Sequence, residues 1–258
     1  MTKTMAIHSY KGGTGKTYIA ANLAAIYAQK GKNVCLLDVD FRAPSLHTLF
    51  DVEDIKYWFN DYLLGVCDFP DLLVDLTKKY NTKGNLQLGF SNPSTEAIRD
   101  IISRDKTWEM LALRKMLLAK DMLSKEMGSD YIIFDTSPGV LYSSVNAVMA
   151  SDVTILVMKD DDFDIKGTEH MIAGIYEVLQ KPVGLVINKI PPLIYVSEYA
   201  KKSLLERFEK AFEKPVLSLI MCNCDVLVSR AEYIFAFEKP SHEFTRSLEQ
   251  LAEKLEKF

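Results

Sequence analysis

A glycine-rich segment constrains the fold of this chain more than any other feature. It reads Lys11-Gly12-Gly13-Thr14-Gly15-Lys16-Thr17 and lies between an apolar run and a helical pattern. Glycines allow successive backbone N–H groups to turn towards an anion, and the start of a helix adds partial positive charge. The sequence therefore predicts a phosphate-binding loop between a strand and a helix, with these residues at the phosphates: Gly12, Gly13, Thr14, Gly15, Lys16 and Thr17.

The end of the loop carries the groups that such a site uses for charge and metal. Lys16 is predicted to reach the β- and γ-phosphates, and the Thr17 hydroxyl to bind Mg²⁺. Tyr18 extends the predicted nucleotide contacts into the helix. Tyr10 stands where the strict phosphate-loop pattern has a glycine, so the match to the generic motif is imperfect.

The rest of the chain alternates short apolar runs with longer helical patterns. Nearly continuous apolarity is typical of strands that are buried on both faces, and alternation with helices indicates a parallel sheet. We expect a single α/β domain over residues 1–258, with a helical insertion around 44–107 and a mostly parallel, roughly seven-stranded sheet covered by helices on both faces. The predicted strands are Thr4–Ser9, Asn33–Leu37, Leu86–Phe90, Tyr131–Phe134, Val153–Met158, Val183–Ile187 and Val216–Ile220. The predicted helices are Lys16–Lys30, Thr107–Gly128, Ile165–Gln180, Ser197–Phe212 and His242–Lys257.

Composition excludes several other classes of protein. The 31 Lys and Arg residues against 35 Asp and Glu residues give a net charge of −4, which is not the balance of a polycation. No apolar stretch approaches the length of a membrane span, and the N-terminus has no signal-peptide core. Four cysteines do not make a disulfide framework in 258 residues, which favours the cytoplasm.

Carboxylates follow two of the predicted strands. Asp38 and Asp40 stand at the end of the second strand, where they are expected to face one side of the sheet. Asp135 directly follows Tyr131–Phe134 and is predicted to hold Mg²⁺ through water, while Gly139 is a hinge that is able to sense the γ-phosphate.

The loop Lys-Gly-Gly-x-Gly-Lys-Thr resembles the deviant Walker A motif of the MinD/ParA family of P-loop ATPases, and the likeness covers roughly residues 1–250. It implies a three-layer P-loop NTPase fold that binds ATP and Mg²⁺ and forms a homodimer. In that family the first lysine, here Lys11, reaches across the two-fold axis to the partner's phosphates. Asp40 matches the residue that positions the attacking water, and Asp38 supports the metal and the loop. Asn188 resembles the family's base-recognising asparagine, with Lys189 beside it.

The resemblance implies an ATP-dependent dimerisation switch that hydrolyses ATP and recruits or positions an unidentified protein partner or cargo. Catalytic roles fall to Lys11, Lys16 and Asp40. One alternative is a metallochaperone or iron–sulfur carrier that uses Cys222 and Cys224, although we favour two buried, unliganded thiols there. Another is a DNA-partitioning ATPase, which no basic run supports.

Two further segments have simpler interpretations. The last helix places apolar residues along one stripe, which favours packing against the domain over attachment to a membrane: Phe244, Leu248, Leu251, Leu255 and Phe258. The acidic run from Asp160 to Asp164 is expected to form a solvated loop and the first-turn acids of the next helix.

Overall fold

The fold is built on one central sheet, seen in a computed structural model that describes residues 2–258. Its strands are β1 (Lys3–His8), β2 (Val34–Val39), β3 (Val74–Asp75), β4 (Leu86–Gly89), β5 (Tyr131–Thr136), β6 (Val153–Met158), β7 (Val183–Ile190) and β8 (Val216–Met221). Within the described residues, these eight strands are ordered β3-β4-β2-β5-β1-β6-β7-β8. Neighbouring strands are parallel except for the β3–β4 pair. The expected α/β class with a mostly parallel sheet is confirmed.

Helices connect the strands. They are α1 (Lys16–Gln29), α2 (Leu46–Leu49), α3 (Phe59–Leu64), α4 (Thr77–Tyr80), α5 (Thr95–Ile102), α6 (Lys106–Lys125), α7 (Tyr142–Ala150), α8 (Asp162–Met171), α9 (Glu177–Leu179), α10 (Pro192–Tyr195), α11 (Glu198–Phe212), α12 (Cys224–Val228), α13 (Phe235–Glu238) and α14 (Glu243–Lys257). A 3-10 turn covers Phe69–Leu72, and a π-helical turn at Ile172–Tyr176 joins α8 to α9.

The predicted strand number is one too low. All seven predicted runs form strands, and the eighth strand, β3, has two residues at the edge of the sheet. So short a strand gives no hydrophobic pattern, because its residues are only partly buried or exposed. The region 44–107 is accordingly not purely helical: besides α2 to α5 it contributes β3 and β4 to the sheet.

Alternate residues of the inner strands pack on opposite faces of the sheet. In β1, Met5 and Ile7 join a hydrophobic cluster with α1 and α14, whereas Ala6 joins a different cluster on α8 and α11. In β2, Leu36 joins the first cluster while Leu37 packs with α3 and α6. Because both faces are covered, nearly every residue of these strands must be apolar.

The C-terminal helix α14 packs on the sheet, as its apolar stripe predicts. Phe244, Leu248, Leu251 and Leu255 are at most 5% exposed and belong to the first cluster. Phe258 is the exception, with 37% of its surface exposed. Over the described residues, no helix combines the length and the apolarity needed to cross a bilayer.

The start of α8 departs from the sequence prediction. The helix begins at Asp162, three residues before the predicted Ile165, because the Asp161 side chain accepts a hydrogen bond from the Asp164 N–H and caps it. Asp162 and Asp164 are first-turn acids, as expected. Asp164 is fully buried, so this first-turn acid is not part of the solvated loop.

Candidate phosphate-binding site

The glycine-rich loop leaves β1 and enters α1 at the carboxyl edge of the sheet. Gly13 and Gly15 adopt positive φ angles of +71° and +97°, which glycine reaches without steric cost. A Cβ on Gly15 would lie 2.6 Å from Asn188 Nδ2, so the loop and β7 approach too closely for any side chain there. Gly15 is also the N-cap of α1, which places the positive end of a 14-residue helix dipole at the loop.

Lys16 is buried under this loop. Its Nζ donates a 2.9 Å hydrogen bond to Ser9 Oγ, and only 6% of the residue is exposed. Burial lowers the pKa of its ammonium, while nearby carboxylates, above all Asp135, act against that shift. The arrangement keeps a desolvated cation next to the loop, where it is well placed to attract phosphate oxygens.

Asp38 and Asp135 form a buried pair of carboxyl groups on neighbouring strands, and Asp135 lies near Lys16. One oxygen of each, Asp38 Oδ2 and Asp135 Oδ1, has no hydrogen-bond partner in the protein. Burial raises the pKa of Asp135 to about 7, with the Thr17 hydroxyl and the Lys16 ammonium acting in the opposite direction. Burial and the neighbouring Asp135 also raise the pKa of Asp38 well above its usual range.

Two buried, unpartnered carboxyl oxygens fit a hard divalent cation. Mg²⁺ is typically bound by one or two carboxylates together with substrate phosphates and water. Asp38, Asp135 and the Thr17 hydroxyl are the groups that would hold it. Asp135 belongs to β5 instead of following it, because the strand runs two residues beyond its predicted end.

Asp40 lies just beyond β2, so it does not share the strand with Asp38 as the sequence suggested. Its backbone N–H donates to Asp38 Oδ1 at 3.0 Å. Its own Oδ1 accepts hydrogen bonds from the backbone N–H groups of Arg42 and Ala43 and, at 2.6 Å, from Ser137 Oγ. Ser137 lies between Asp135 and Gly139, so this contact fastens the segment after β5 to the segment after β2.

Lys11 is paired within its own chain. Its Nζ lies 3.1 Å from Asp161 Oδ1 and 5.0 Å from the centre of the Phe163 ring, both at the start of α8. The side chain is 35% exposed, so it remains accessible from outside the molecule. Its predicted reach into a partner subunit stays a prediction.

Asn188 supports the loop directly. Its Nδ2 donates a 2.8 Å hydrogen bond to the Thr14 carbonyl, and its Oδ1 accepts from the Lys189 N–H. Lys189 has a φ of +60°, and its Nζ donates to the Gly13 carbonyl. Both residues belong to β7, which continues past its predicted end through an irregular register. Recognition of a base by Asn188 stays a prediction.

A largely apolar cavity of about 260 Å³ opens next to Gly15 and Asn188. Tyr18 and Phe244, whose rings stack, form part of its wall together with Val226, Leu227 and Cys222. The Tyr18 hydroxyl donates to the Tyr233 carbonyl, so the ring is held in place. This cavity lies where a group attached to phosphates in the loop would extend.

The cysteines are not the buried thiols that the sequence suggested. Cys222 is half-buried at the wall of the cavity and Cys224 is exposed, because the chain leaves the sheet immediately after β8. Between Thr2 and Phe258, the structure contains no group of three or more His, Cys, Asp or Glu side chains arranged to hold a metal ion.

Sequence reasoning missed three polar residues of the site. Ser9 accepts the Lys16 hydrogen bond, Ser137 binds Asp40, and His8 contacts the Gly139 carbonyl at 2.8 Å. The only available signal was their position next to recognised motifs. The polar pair His8-Ser9 at the end of a mostly apolar strand indicates that a functional site begins there, but it does not show which residues His8 and Ser9 bind.

Comparisons with known proteins agree with this geometry. The model of the AAA_31 family, described as an AAA domain, matches residues 2–190. The septum site-determining protein MinD of Bacillus subtilis is 30% identical over 193 residues, which cover 74% of this chain and 66% of that protein.

Two solved structures share the fold. MinD from Pyrococcus horikoshii, solved with Mg-ADP, superposes with a TM-score of 0.78 at 22% identity, covering 100% of this chain and 97% of the other. A putative plasmid partition protein from Borrelia burgdorferi, bound to AMPPNP, gives a TM-score of 0.77 at 21% identity and covers 100% of both chains.

Proposed function

Because this chain belongs to the MinD/ParA-type family of P-loop ATPases, we propose that it is a Mg²⁺-dependent, ATP-hydrolysing dimerisation switch that recruits or positions another protein. One observation carries the proposal. At the glycine loop, the buried Lys16 lies near the buried Asp135, which stands opposite the buried Asp38, and each of these two carboxyl groups has an oxygen without a protein partner. Such a cluster is costly to bury unless a charged ligand completes it.

Different residues of the site have different roles in the proposed phosphoryl transfer. Backbone N–H groups of the loop and the end of α1 bind the phosphates, and Lys16 stabilises the charge that develops on them. When bound, Mg²⁺ neutralises charge on the phosphate oxygens. Asp40 orients the attacking water, and Ser137 holds the Asp40 carboxylate in place.

The cavity beside Gly15 is proposed as the site of the adenine ring. Its stacked Tyr18 and Phe244 rings and its aliphatic wall suit a flat, apolar group, and Asn188 lies at its edge. Of the solved structures that share this fold, the Pyrococcus protein is bound to Mg-ADP and the Borrelia protein is bound to AMPPNP. Both ligands contain adenine and phosphates.

Dimerisation would require Lys11 to exchange one partner for another. In the single chain it pairs with Asp161, and about a third of each side chain is exposed. Exposed ion pairs of this kind contribute about 0–1 kcal/mol, so the phosphates of a second subunit would compete easily. A cation from each subunit would offset the charge of two facing nucleotides.

The two alternative functions have less support. The carrier hypothesis would draw two thiols from each chain, those of Cys222 and Cys224, and Cys222 lines the cavity proposed for adenine. DNA partitioning is suggested by the Borrelia relative, but the sequence contains no basic run of the kind that would favour binding to DNA. A protein partner or cargo is therefore the proposal.

A single-turnover assay with ATP and Mg²⁺ tests the chemistry. Lys16→Ala is expected to lose at least about a hundredfold in rate, since the cation acts on charge that develops in the transition state. Lys106→Ala, an exposed lysine at the start of α6, is the matched control and should behave like wild type. Equal rates for Lys16→Ala and wild type would refute the site.

Size-exclusion chromatography with ATP tests the switch. Asp40→Ala should bind ATP without hydrolysing it and elute as a dimer, whereas Asp40→Ala combined with Lys11→Ala should elute as a monomer. If Asp40→Ala stays monomeric at saturating ATP, the dimerisation switch is wrong even where hydrolysis has been shown.

A further inference from the structure

His8 is a buried histidine at the end of β1 that the proposed chemistry does not use. Its ring is fully buried, with Nε2 2.8 Å from the Gly139 carbonyl oxygen and Nδ1 hydrogen-bonded to the Tyr176 hydroxyl. Because a carbonyl oxygen only accepts, Nε2 must carry the proton, and Nδ1 must accept from the tyrosine. Both nitrogens of a neutral imidazole are thus satisfied, in keeping with burial that lowers the pKa of His8 to about 4.

Gly139, the contact of His8, is the proposed hinge after β5. Its N–H donates to the Ser9 carbonyl at 2.9 Å while its own carbonyl accepts from His8, so His8 at the end of β1 and Ser9 after it hold both backbone polar groups of Gly139. Gly139 has a φ of +76°. Ser9 is also the residue whose hydroxyl accepts from Lys16. The hinge is therefore tied to the strand that leads into the phosphate loop.

Tyr176 fixes the other side of the imidazole. It is 1% exposed and closes the π-helical turn after α8, where such turns often mark functional positions. Its hydroxyl bonds to His8. Without that donor, Nδ1 would be a buried acceptor without a partner, and the ring would lose one of the two hydrogen bonds that hold it in place.

We propose that His8 is a positioning residue for the proposed ATP hydrolysis: it holds the Gly139 carbonyl, and Tyr176 holds the His8 ring in place. The proposal rests on the proposed function. Groups that orient reacting residues must themselves be held by buried hydrogen bonds, and His8 does this for the segment that carries Asp135 and Ser137. Phosphate binding by the loop does not pass through His8, so its loss should lower kcat and leave KM nearly unchanged.

The test compares four variants by steady-state ATP hydrolysis. His8→Ala should lower kcat about tenfold or more with KM within about twofold, and Tyr176→Phe should lower it by a smaller factor. His8→Gln should restore much of kcat, since its amide N–H₂ is also a donor for the Gly139 carbonyl. His170→Ala, an exposed histidine on α8, is the matched control.

Amide hydrogen exchange in nucleotide-free protein gives a second readout that does not depend on turnover. Exchange of the Gly139 N–H should be faster in His8→Ala and Tyr176→Phe than in wild type and unchanged in His170→Ala. If His8→Ala fails to fold, Tyr176→Phe and His8→Gln decide the question with the same two readouts.

The outcomes separate the two proposals. Wild-type kcat and wild-type exchange at Gly139 in both His8→Ala and Tyr176→Phe would overturn the role of His8. So would lowered thermal stability with unchanged kcat, since that describes a merely structural residue. A wild-type protein that hydrolyses no ATP would refute the proposed function. In that case, faster exchange of the Gly139 N–H in the variants would still support the hold of His8 on Gly139, and unchanged exchange would overturn it.

Discussion

Asp38 and Asp135 stand opposite each other in register on the neighbouring parallel strands β2 and β5. Each carboxyl group has one buried oxygen without a protein partner, and burial raises the pKa of both. Two carboxylates on neighbouring strands that are both buried away from water repel each other unless a proton or a cation lies between them. The pairing explains why the site is suited to a divalent cation and leads to the first prediction.

Binding of Mg-ADP should depend on pH through Asp135. With a pKa of about 7, its carboxyl group is mostly protonated at pH 6 and mostly ionised at pH 8, and only the ionised form binds a metal ion. The affinity for Mg²⁺ should therefore rise about tenfold between these pH values. Calorimetry in two buffers of different ionisation enthalpy should also show proton release near pH 6. Asp135→Asn should bind Mg²⁺ more weakly and with a smaller pH dependence, since only the raised pKa of Asp38 then remains, and a flat wild-type profile would contradict the assignment.

Gly15→Ala should weaken nucleotide binding and destabilise the fold. The residue has a φ of +97°, and an added Cβ would lie 2.6 Å from Asn188 Nδ2. Strain and overpacking of this kind cost about 1–3 kcal/mol each, measured as the free energy of unfolding in urea. Gly174→Ala is the control, because its Cβ would meet no atom within 4 Å. Equal stability losses in the two variants would show that the close approach of loop and β7 is not what matters.

Tyr10 and Gly167 should be energetically coupled. A Cβ on Gly167 in α8 would lie 1.9 Å from Tyr10 Cε1, so the tyrosine ring occupies the space that a side chain would need. Gly167→Ala alone should cost about 1–3 kcal/mol of unfolding free energy, and Gly167→Ala in a Tyr10→Ala background should cost much less. A double-mutant cycle measures the difference. An additive result would mean that the ring moves aside without cost.

Nucleotide should protect Cys222 from alkylation but not Cys224. Cys222 lines the cavity proposed for adenine, whereas Cys224 is exposed outside it. At ADP about a hundredfold above its dissociation constant, the site is about 99% occupied, so iodoacetamide should react with Cys222 at least about tenfold more slowly. Peptide mass spectrometry follows both thiols in one sample, which makes Cys224 the internal control. Equal protection of both, or of neither, would place the base elsewhere.

Much of the site was predictable because it is local in sequence. The loop from Lys11 to Thr17 joins a strand to a helix, and its conformation depends on glycines that any reader of the sequence can see. Asp135 and Asp38 were predictable too, since apolar strands that end in carboxylates indicate the ligand-binding edge of a parallel sheet. Strand ends were placed less well: β5 and β7 extend past the predicted ends and include Asp135 and Asn188.

Contacts between distant segments were not predictable. The Ser137–Asp40 bond depends on β5 lying beside β2, and no sequence pattern specifies that order. The sequence also could not predict that the Asn188 amide donates a hydrogen bond to the Thr14 carbonyl, or that Lys11 pairs with Asp161. A cysteine's exposure likewise depends on where the chain turns after β8.

The amino-acid sequence by itself determined the local form of the candidate phosphate site, a glycine loop at a strand–helix junction, since glycine freedom and helix charge act over a few residues. Only the tertiary structure decided which polar groups complete that site. His8 illustrates the difference: its partners Gly139 and Tyr176 come from separate parts of the chain, and the hydrogen bond to the Gly139 carbonyl sets its tautomer. Hydrogen bonds inside a dry core depend on which elements pack together, and packing is a property of the whole fold.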